Sequence, residues 1–373
     1  MKKVYWVTDN IYSPLGDTSE KNATAIFEGK STVVHVPSLS LPNKSFYASL
    51  FSPSQRDKTT AKSIDKSTPF FEQMALNAIE NLLQKYPIKN IEKTILIVST
   101  TKGNIELIDN PLLRHRLNLH DAAQKINLKI GLKNTPIVVS NACISGIAAM
   151  VVAKRLIEKG VYENAIVCGA DCITDFVASG FQTLNATANE LCKPYDKNRT
   201  GINLGEAACA VLLSSTYESD VLVLGGSISN DANHISGPSK TGEELAMAIQ
   251  NALTESEIDV EDVAFVSAHG TATAYNDEME SKAFEIAGLS ETPIHSLKPQ
   301  IGHTLGAAGL IESIVGVHAL KQGIVPVSLN FNELGVSGKI NIATQASTTS
   351  KKYFLKTASG FGGCNGAIVY SKI

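Results

Sequence analysis

The sequence predicts an α/β protein in which sheets and helices are stacked in layers. Short apolar segments typical of buried strands alternate along the chain with longer segments of helical periodicity. An apolar content of 43% and a charged content of 18% suit a chain of 373 residues with a large core. Because no low-complexity linker divides the chain, its elements are expected to pack against one another.

The hydrophobic pattern places each element. Strands are predicted at 3–7, 94–99, 136–140, 164–168, 208–214, 221–229, 263–267, 294–296, 325–327 and 366–371, and helices near 18–28, 67–84, 145–159, 241–254, 277–286 and 307–321. The helix near 67–84 has Pro69 in its first turn, with Ser67 or Thr68 able to cap it. The helix near 145–159 is apolar on nearly all sides in its first half, which predicts burial between sheets.

Charge and hydropathy exclude several classes of protein. A formal net charge of -3 argues against a nucleic-acid-binding protein, which usually carries a basic domain or stripe. No apolar run reaches the roughly 18 residues of a membrane span, and the start of the chain lacks a secretory signal, so we expect a cytoplasmic protein. The cysteines are then expected to be free thiols. Cys168 and Cys172 are not expected to bind metal, because no second ligand pair lies nearby.

Cys143 is the strongest candidate for a nucleophile. It lies where the apolar strand predicted at 136–140 runs into the small-residue helix near 145–159. Backbone amides and the positive end of a helix dipole at such a junction favour a thiolate. A buried, inert cysteine is the common alternative for a single residue of this type.

Two histidines complete a possible catalytic group. His269 and His303 are each surrounded by Gly, Ala and Thr, which permit tight turns and the close approach of a ligand to the backbone. Neither histidine lies on the face of an amphipathic helix. Lys298 precedes the second histidine by five residues.

The order of these motifs resembles that of the β-ketoacyl-(acyl carrier protein) synthases of the Cys-His-His elongating type. Further segments carry the resemblance at 12–16, 193–207, 229–234 and 360–366. The resemblance implies a thiolase-like five-layer αβαβα sandwich of two similar halves, residues 1–218 with the nucleophile and residues 219–373 with both histidines. A pocket is then expected between the halves, where ligand sites are common.

The resemblance also implies the reaction, a decarboxylative Claisen condensation in fatty-acid or polyketide synthesis. Cys143 would hold the acyl group as a thioester, a form that a thiolate readily makes and releases. His269 and His303 would donate hydrogen bonds to the oxygen of the malonyl thioester as it becomes an enolate, an effect of about 3–4 kcal/mol per well-placed donor. Lys298 would orient or tune the neighbouring histidine.

Four more residues have roles by resemblance. Glu312 would support the lysine–histidine network. Phe361, flanked by glycines, would act as a mobile gate, and its backbone amide would form an oxyanion hole with that of Cys143. Thr271 and Thr273 would bind the phosphopantetheine arm, because a spacing of two puts both hydroxyls on one face of an extended segment.

The resemblance predicts an acyl carrier protein as the partner and a homodimer or a heterodimer with a related subunit. The carrier is acidic in this family, so a basic docking face is expected, and ordinary solvated charges are the alternative. The candidate docking residues are Arg56, Lys58, Lys62, Lys66 and Arg199. No metal and no resident cofactor are expected, since the phosphopantetheine arm arrives on the carrier.

Departures from the family pattern leave the substrate open. The segment before Cys143 is short, Ile144 replaces the usual small residue and could narrow the pocket, and Ser267 precedes the Ala-His-Gly motif. One alternative is a non-catalytic, chain-length-setting subunit of the same fold, against which the intact Cys143 speaks. Another is a thiolase-like acyltransferase that uses coenzyme A, against which His303 speaks, since the related initiating enzymes have Asn there.

Overall fold

The computed structural model describes residues 1–37, 45–62, 65, 67–232 and 237–373. The strands are β1 (Tyr5–Tyr12), β2 (Val34–Pro37), β3 (Ser45–Ser49), β4 (Thr94–Ser99), β5 (Ile137–Val139), β6 (Asn164–Asp171), β7 (Leu204–Gly205), β8 (Ala207–Ser214), β9 (Val221–Asn230), β10 (Val263–Ser267), β11 (Pro293–His295), β12 (Ile324–Val325), β13 (Asn341–Ile342), β14 (Ser347–Thr348), β15 (Tyr353–Gly360) and β16 (Cys364–Lys372). The α-helices are α1 (Ser19–Phe27), α2 (Pro53–Lys62), α3 (Phe70–Lys85), α4 (Leu119–Lys129), α5 (Ser145–Glu158), α6 (Asp175–Thr183), α7 (Glu243–Ser256), α8 (Ala274–Ile286), α9 (Lys298–Ile301) and α10 (Ala308–Gln322).

Two sets of five strands repeat one topology. In the first the spatial order is β1-β8-β6-β4-β5, and in the second it is β9-β16-β15-β10-β11, with β13 added at the edge. In each set the last three strands are parallel to one another, and the second is antiparallel to both of its neighbours. The sets join where Tyr5 pairs with Leu222. The same order and direction in both is what two similar halves would give.

Helices fill the space between the two sets of strands and cover their outer faces. In the middle, α5 contacts β4 and β6 of one set and β9 and β16 of the other, and α10 likewise contacts strands of both. On the outside, α3 packs on β1, β6 and β8, while α7 packs on β9 and β16. The result is the expected order of five layers, αβαβα. Among the described helices, none is both long enough and apolar enough to cross a bilayer.

The middle helices are buried because their sequences are apolar on every side. On α10 every residue from Ala308 to Val317 is buried, and on α5 burial is continuous from Ser145 to Val151. The carboxyl ends of parallel strands meet at one edge of a sheet. The segments that follow β5, β10 and β11 carry Cys143, His269 and His303, so the topology brings these residues toward one another.

Several elements differ from the prediction. The elements that were not predicted are the helices α2, α4, α6 and α9 and the strands β2, β3, β7, β13, β14 and β15. In β15, Lys356 interrupts the apolar pattern, yet it is fully buried because an acidic partner lies opposite. The predicted cap of the helix near 67–84 is wrong, since α3 begins at Phe70 after Pro69 without a side-chain cap.

Candidate active site

Cys143, His269 and His303 lie at the bottom of a cavity of about 610 Å³. The cysteine Sγ and a ring nitrogen of each histidine all lie within 4.8 Å of one another. The two imidazole rings stand nearly perpendicular, with centroids 5.2 Å apart and an interplanar angle of 83°. All three side chains are buried, and all three line the cavity. A ligand in the cavity could therefore touch the sulfur and both imidazoles at once.

A tight turn presents Cys143 at the head of α5. Ala142 has a φ of 44°, a left-handed conformation that is rare for a residue with a side chain. The turn is held by Ser145, whose hydroxyl donates to the carbonyl of Ala142 at 2.6 Å and accepts from the amide of Asn141 at 2.8 Å. Ile144 points away from the cavity into the central core, so it does not narrow the pocket.

The expectation of a resting thiolate at Cys143 is wrong. Burial, with a smaller contribution from the neighbouring Cys364, raises the pKa of the thiol to about 12. The positive charges of Lys298 and Lys102 and a hydrogen bond from the Phe361 amide lower the pKa, but by less. Desolvation of the charged form outweighs these favourable contacts. The thiol is therefore protonated at neutral pH and has to lose its proton as it attacks.

The loop that carries His269 is held by two buried carboxylates. Glu280 accepts hydrogen bonds from the amides of His269 and Gly270 at 2.8 and 2.7 Å. Asp277 accepts from the amide of Thr271 at 3.0 Å, and burial raises its pKa to about 7. Both acids lie on α8, the helix that directly follows the histidine motif in the chain. The sequence reasoning did not single them out, although their spacing of three places them on one helix face.

Close backbone contact fixes His303. Its amide donates to the carbonyl of Asn203 at 2.7 Å, and its carbonyl accepts from Gly205 at 3.0 Å. The preceding residue, Gly302, has a φ of 66°, and a Cβ at this position would lie 2.0 Å from the carbonyl oxygen of Leu204. Only glycine fits there, which explains the Gly-His pair in the motif.

Both imidazoles are neutral at physiological pH. Burial lowers the pKa of His269 and of His303 well below the ordinary value of 6.5, and the charge of Lys298 lowers both further. No polar atom of the described residues pairs with Nδ1 of His269 or with either ring nitrogen of His303. A neutral imidazole has one N–H donor and one acceptor nitrogen. The rings can thus donate to a ligand oxygen or accept a proton from the thiol.

A buried ion cluster lies behind the histidines. Glu312 pairs through Oε1 with Lys298 at 2.5 Å and through Oε2 with Lys356 at 2.6 Å. All three side chains are buried, so Lys298 is not a surface lysine and Glu312 is not a solvated helix charge. Lys356 was not singled out from the sequence, because a lone lysine in an apolar segment carries no motif.

Phe361 lies at the turn between β15 and β16. Its ring is 37% exposed and rests against Phe181, with centroids 5.8 Å apart. Gly362 and Gly363, which follow it, both have positive φ values, 88° and 76°, and a Cβ at Gly362 would meet only open space. The Phe361 amide donates to the Cys143 sulfur, so this donor lies beside the atom that would carry the acyl group.

Thr271 and Thr273 both line the cavity, and their hydroxyl oxygens are 2.8 Å apart. The predicted extended segment is wrong, however, since Ala272 between them has a φ of 59°. A turn, stabilised by the Asp277 carboxylate, brings the two hydroxyls together instead. Their shared side of the cavity agrees with the expected contact to an incoming arm.

The predicted docking residues do not form one set. Arg56 holds the buried carboxylate of Glu206 through two contacts of 2.6 and 2.8 Å. Arg199 is bound to backbone carbonyls at the cavity wall, including that of Gly335 at 2.6 Å. The Arg199 side chain is only 9% exposed, whereas the Arg56 side chain is 39% exposed although it is paired with Glu206. Lys58 and Lys62 are exposed on α2. Lys66 lies outside the described residues, as do 233–234 of the motif at 229–234.

Comparison with known proteins identifies the family. The models for the N-terminal and C-terminal domains of β-ketoacyl synthase match residues 98–219 and 221–332. A 3-oxoacyl-(acyl-carrier-protein) synthase 2 of Vibrio harveyi is 26% identical over 402 residues, covering 97% of this chain and 96% of the relative. The actinorhodin polyketide putative β-ketoacyl synthase 1 of Streptomyces coelicolor is 31% identical over 303 residues, covering 75% of this chain and 64% of the relative.

Solved structures share the fold along the whole chain. A ketosynthase from Xenorhabdus doucetiae, solved in complex with its chain length factor, has a TM-score of 0.89 at 24% identity and covers 100% of this chain and 98% of its own. A β-ketoacyl synthase from Burkholderia phymatum has a TM-score of 0.87 at 24% identity, with 100% of both chains covered. These likenesses confirm the thiolase-like fold. The two family models together span more than half of the 373 residues, and the chain therefore belongs to the β-ketoacyl synthase family.

Proposed function

We propose that the protein is a β-ketoacyl-(acyl carrier protein) synthase that condenses an acyl group held on Cys143 with malonyl-acyl carrier protein. The observation that supports this most is the convergence of one thiol and two neutral imidazoles within 4.8 Å at the bottom of a cavity. The relatives from Vibrio harveyi and Streptomyces coelicolor are named for this class of synthase.

In the first half-reaction the sulfur of Cys143 attacks the carbonyl carbon of an acyl thioester. A sulfur–carbon bond forms, and the bond to the sulfur of the pantetheine arm breaks. Because the thiol is protonated at rest, a neighbouring imidazole accepts its proton and passes it to the departing pantetheine thiolate. The amides of Cys143 and Phe361 stabilise the negative charge on the carbonyl oxygen during the attack.

In the second half-reaction a malonyl thioester loses its carboxylate as CO₂. The electron pair of the broken carbon–carbon bond passes into an enolate, whose oxygen accepts hydrogen bonds from His269 and His303. Neutral imidazoles suit this role, since each can donate an N–H without a net charge that would pair with the malonyl carboxylate instead. The enolate carbon then attacks the acyl carbonyl, a carbon–carbon bond forms, and the Cys143 thiolate leaves and takes a proton from solvent.

The cavity suits an arm that ends in a thioester. Thr271 and Thr273 present hydroxyls along its wall, and the ring of Phe361 lies where it could move to admit an acyl chain. We propose no metal and no resident cofactor, because the phosphopantetheine arm is delivered by the carrier protein and returns with it.

We propose an acyl carrier protein as partner, with Lys58 and Lys62 as the exposed cations of its docking face. A related ketosynthase was solved in complex with its chain length factor, and another with a type II polyketide acyl-carrier protein and a hexaketide. A dimer, with a second copy or with a related subunit, is proposed on the same basis. Whether the product enters fatty-acid or polyketide synthesis depends on the acyl chain.

The test is intact-mass measurement of the protein after incubation with acyl carrier protein loaded with acyl chains of several lengths, followed by malonyl carrier protein. The expected results are an acyl adduct on Cys143 and then a product longer by one two-carbon unit, since CO₂ is lost from the three-carbon malonyl group. Cys143→Ala should form no adduct. A Cys143→Ala variant that still elongates the chain would contradict the proposal, and acylation by coenzyme A thioesters alone would favour a thiolase-like enzyme.

A further inference from the structure

Lys356 is a fully buried lysine in the central layer whose role no sequence motif indicates. It lies on β15, paired in register with Ser267 at the end of β10. Side chains alternate along a strand, and Phe354 and Ala358 on the same face belong to the core between the two halves. Lysine is almost never fully buried without a partner that compensates its charge. Its contacts should therefore explain why it is there.

The ammonium of Lys356 holds the chain just before His269. It donates to the carbonyl oxygens of Ser267, the last residue of β10, and of Ala268, which follows it, at 2.9 and 3.1 Å. On the other side of the histidine, the carboxylate of Glu280 accepts the amides of His269 and Gly270. The backbone of His269 is thus fixed from both directions by buried charged groups.

The same ammonium connects the two histidine segments. Its third partner is Oε2 of Glu312 at 2.6 Å, and Oε1 of that carboxylate pairs with Lys298, which begins the short helix α9 before His303. A continuous chain of contacts therefore runs from the backbone of His269 through Lys356 and Glu312 to α9. The distance between the imidazoles depends on this chain, because each ring follows its own segment.

Lys356 is also the excess cation of the cluster, since two ammonium groups share the single carboxylate of Glu312. The titratable groups that face it from the surrounding elements are Glu312 on α10, Lys298 on α9, Glu280 on α8, His295 on β11 and the imidazoles of His269 and His303. Burial lowers the pKa of Lys356 to about 8, although Glu312 opposes this. Its positive charge lowers the pKa of both catalytic imidazoles.

We propose that Lys356 is a positioning residue for condensation: it holds the segment that carries His269 in place relative to the segment that carries His303. The inference rests on the proposed function. It assigns Lys356 no contact with substrate, because the side chain lies behind the histidines and does not line the cavity. Its loss should therefore impair decarboxylation, which uses both imidazoles, more than acylation of Cys143.

The experiment compares Lys356→Met and Lys356→Gln with the wild type. Methionine keeps the volume without a charge, and glutamine keeps a hydrogen-bond donor without a charge. Either leaves Glu312 paired with Lys298, so the fold should survive. The matched control is Lys154→Met. Lys154 is nearly as buried as Lys356 and pairs with the carboxylates of Glu158 and Glu255 at 2.8 and 2.9 Å, but it lies on a part of α5 remote from the histidines.

Three quantities are measured between pH 5 and 10: acylation of Cys143 by intact mass, CO₂ release from malonyl carrier protein, and the KM for that substrate. At pH 7 we expect CO₂ release by Lys356→Met to fall at least tenfold, with acylation and KM within about twofold of wild type. In the wild type, CO₂ release should decline above about pH 8, because Lys356 then loses its proton and with it the ion pair to Glu312 that ties the two histidine segments together. In Lys356→Met this decline should vanish. At acid pH its CO₂ release should begin to fall at a higher pH than in the wild type, because the imidazoles are protonated more easily without the Lys356 charge.

Unchanged CO₂ release and an unchanged pH profile in both Lys356 variants would overturn the inference. So would a parallel loss of acylation and CO₂ release matched by Lys154→Met, which would indicate a structural role only. The wild-type profile is a test that needs no variant, since the absence of a decline near pH 8 would also refute it. Failure of the proposed function is a different result: the wild type would then neither accept an acyl group nor release CO₂.

Discussion

The Glu312 carboxylate offers the sharpest test of the buried ion cluster. Glu312→Gln preserves shape but removes the charge that two fully buried ammonium groups share, at 2.5 Å to Lys298 and 2.6 Å to Lys356. Removal of one partner from a buried ion pair typically costs about 3–5 kcal/mol, because the remaining charge is left without compensation. Two lysines lose the same partner here, but Lys356 can shed its proton, since its pKa is already lowered to about 8.

We therefore expect the free energy of unfolding to fall by about 3–5 kcal/mol at pH 7, measured by guanidinium titration with unchanged m-value. The deficit should narrow as the pH rises toward 8. Without Glu312 the pKa of Lys356 drops further, so Lys356 loses its proton in the folded variant at a pH where it keeps the proton in the folded wild type and in both unfolded chains. The unfolded variant then binds more protons than the folded variant, and its free energy of unfolding increases with pH. Over that range stability rises with pH in the variant alone.

An exposed ion pair provides the control. Lys339 and Glu291 are also 2.5 Å apart, but both side chains lie in solvent. Glu291→Gln should leave the free energy of unfolding unchanged within error, because exposed pairs contribute little. If Glu312→Gln unfolded within about 1 kcal/mol of the wild type, the cost assigned to uncompensated buried charge would be refuted.

Three further predictions concern the other parts of the site. Below pH 6.5 the histidine at position 303 binds a proton in the unfolded chain but not in the folded protein, so the free energy of unfolding should decrease as the pH is lowered. His303→Asn should reduce that slope by up to about 1.4 kcal/mol per pH unit in denaturation curves, and equal slopes would contradict the lowered pKa. Gly302→Ala should lower the free energy of unfolding by at least about 2 kcal/mol, because the new methyl group would collide with the backbone of Leu204. Gly131 has a φ of 74° but open space around it, so Gly131→Ala should cost only about 1–2 kcal/mol, and similar losses in both variants would remove the steric explanation. Arg56→Ala should lower the melting temperature, because it leaves the buried carboxylate of Glu206 without its cationic partner, while Lys58→Glu should raise the KM for carrier protein. A raised KM with an unchanged melting temperature in Arg56→Ala would instead indicate that Arg56 belongs to the docking face.

The parts of the fold predicted well are those with a strong local pattern. The strands at 94–99 and 263–267 were predicted with the bounds of β4 and β10, because a continuous apolar run between turn residues has few alternatives. The helix near 145–159 was predicted as buried, and α5 is buried between the two halves. The polar helix α2 was missed, since Thr59 is its one buried residue and it has no apolar face that the sequence could reveal.

Residues without a motif were predicted poorly for a physical reason. In the sequence Asp277 and Glu280 are indistinguishable from ordinary charged residues on a helix surface. Only the structure shows that the loop around His269 directs its backbone amides at their carboxylates. Lys356 reads as an interruption of a strand until Glu312 is seen to lie opposite. In each case the partner is distant in sequence or in a different kind of element, so the compensation is invisible along the chain.

The family, the layered α/β class and the candidate thiol and imidazoles could all be predicted along the chain, because motif chemistry and hydrophobic periodicity are local properties of the chain. Tertiary structure decided the protonation of those groups. A pKa depends on burial and on charges brought from other elements, so packing makes Cys143 a neutral thiol where its local position favoured a thiolate. Packing likewise pairs Arg56 with a buried carboxylate and Arg199 with backbone carbonyls, since only the fold shows which group each guanidinium meets.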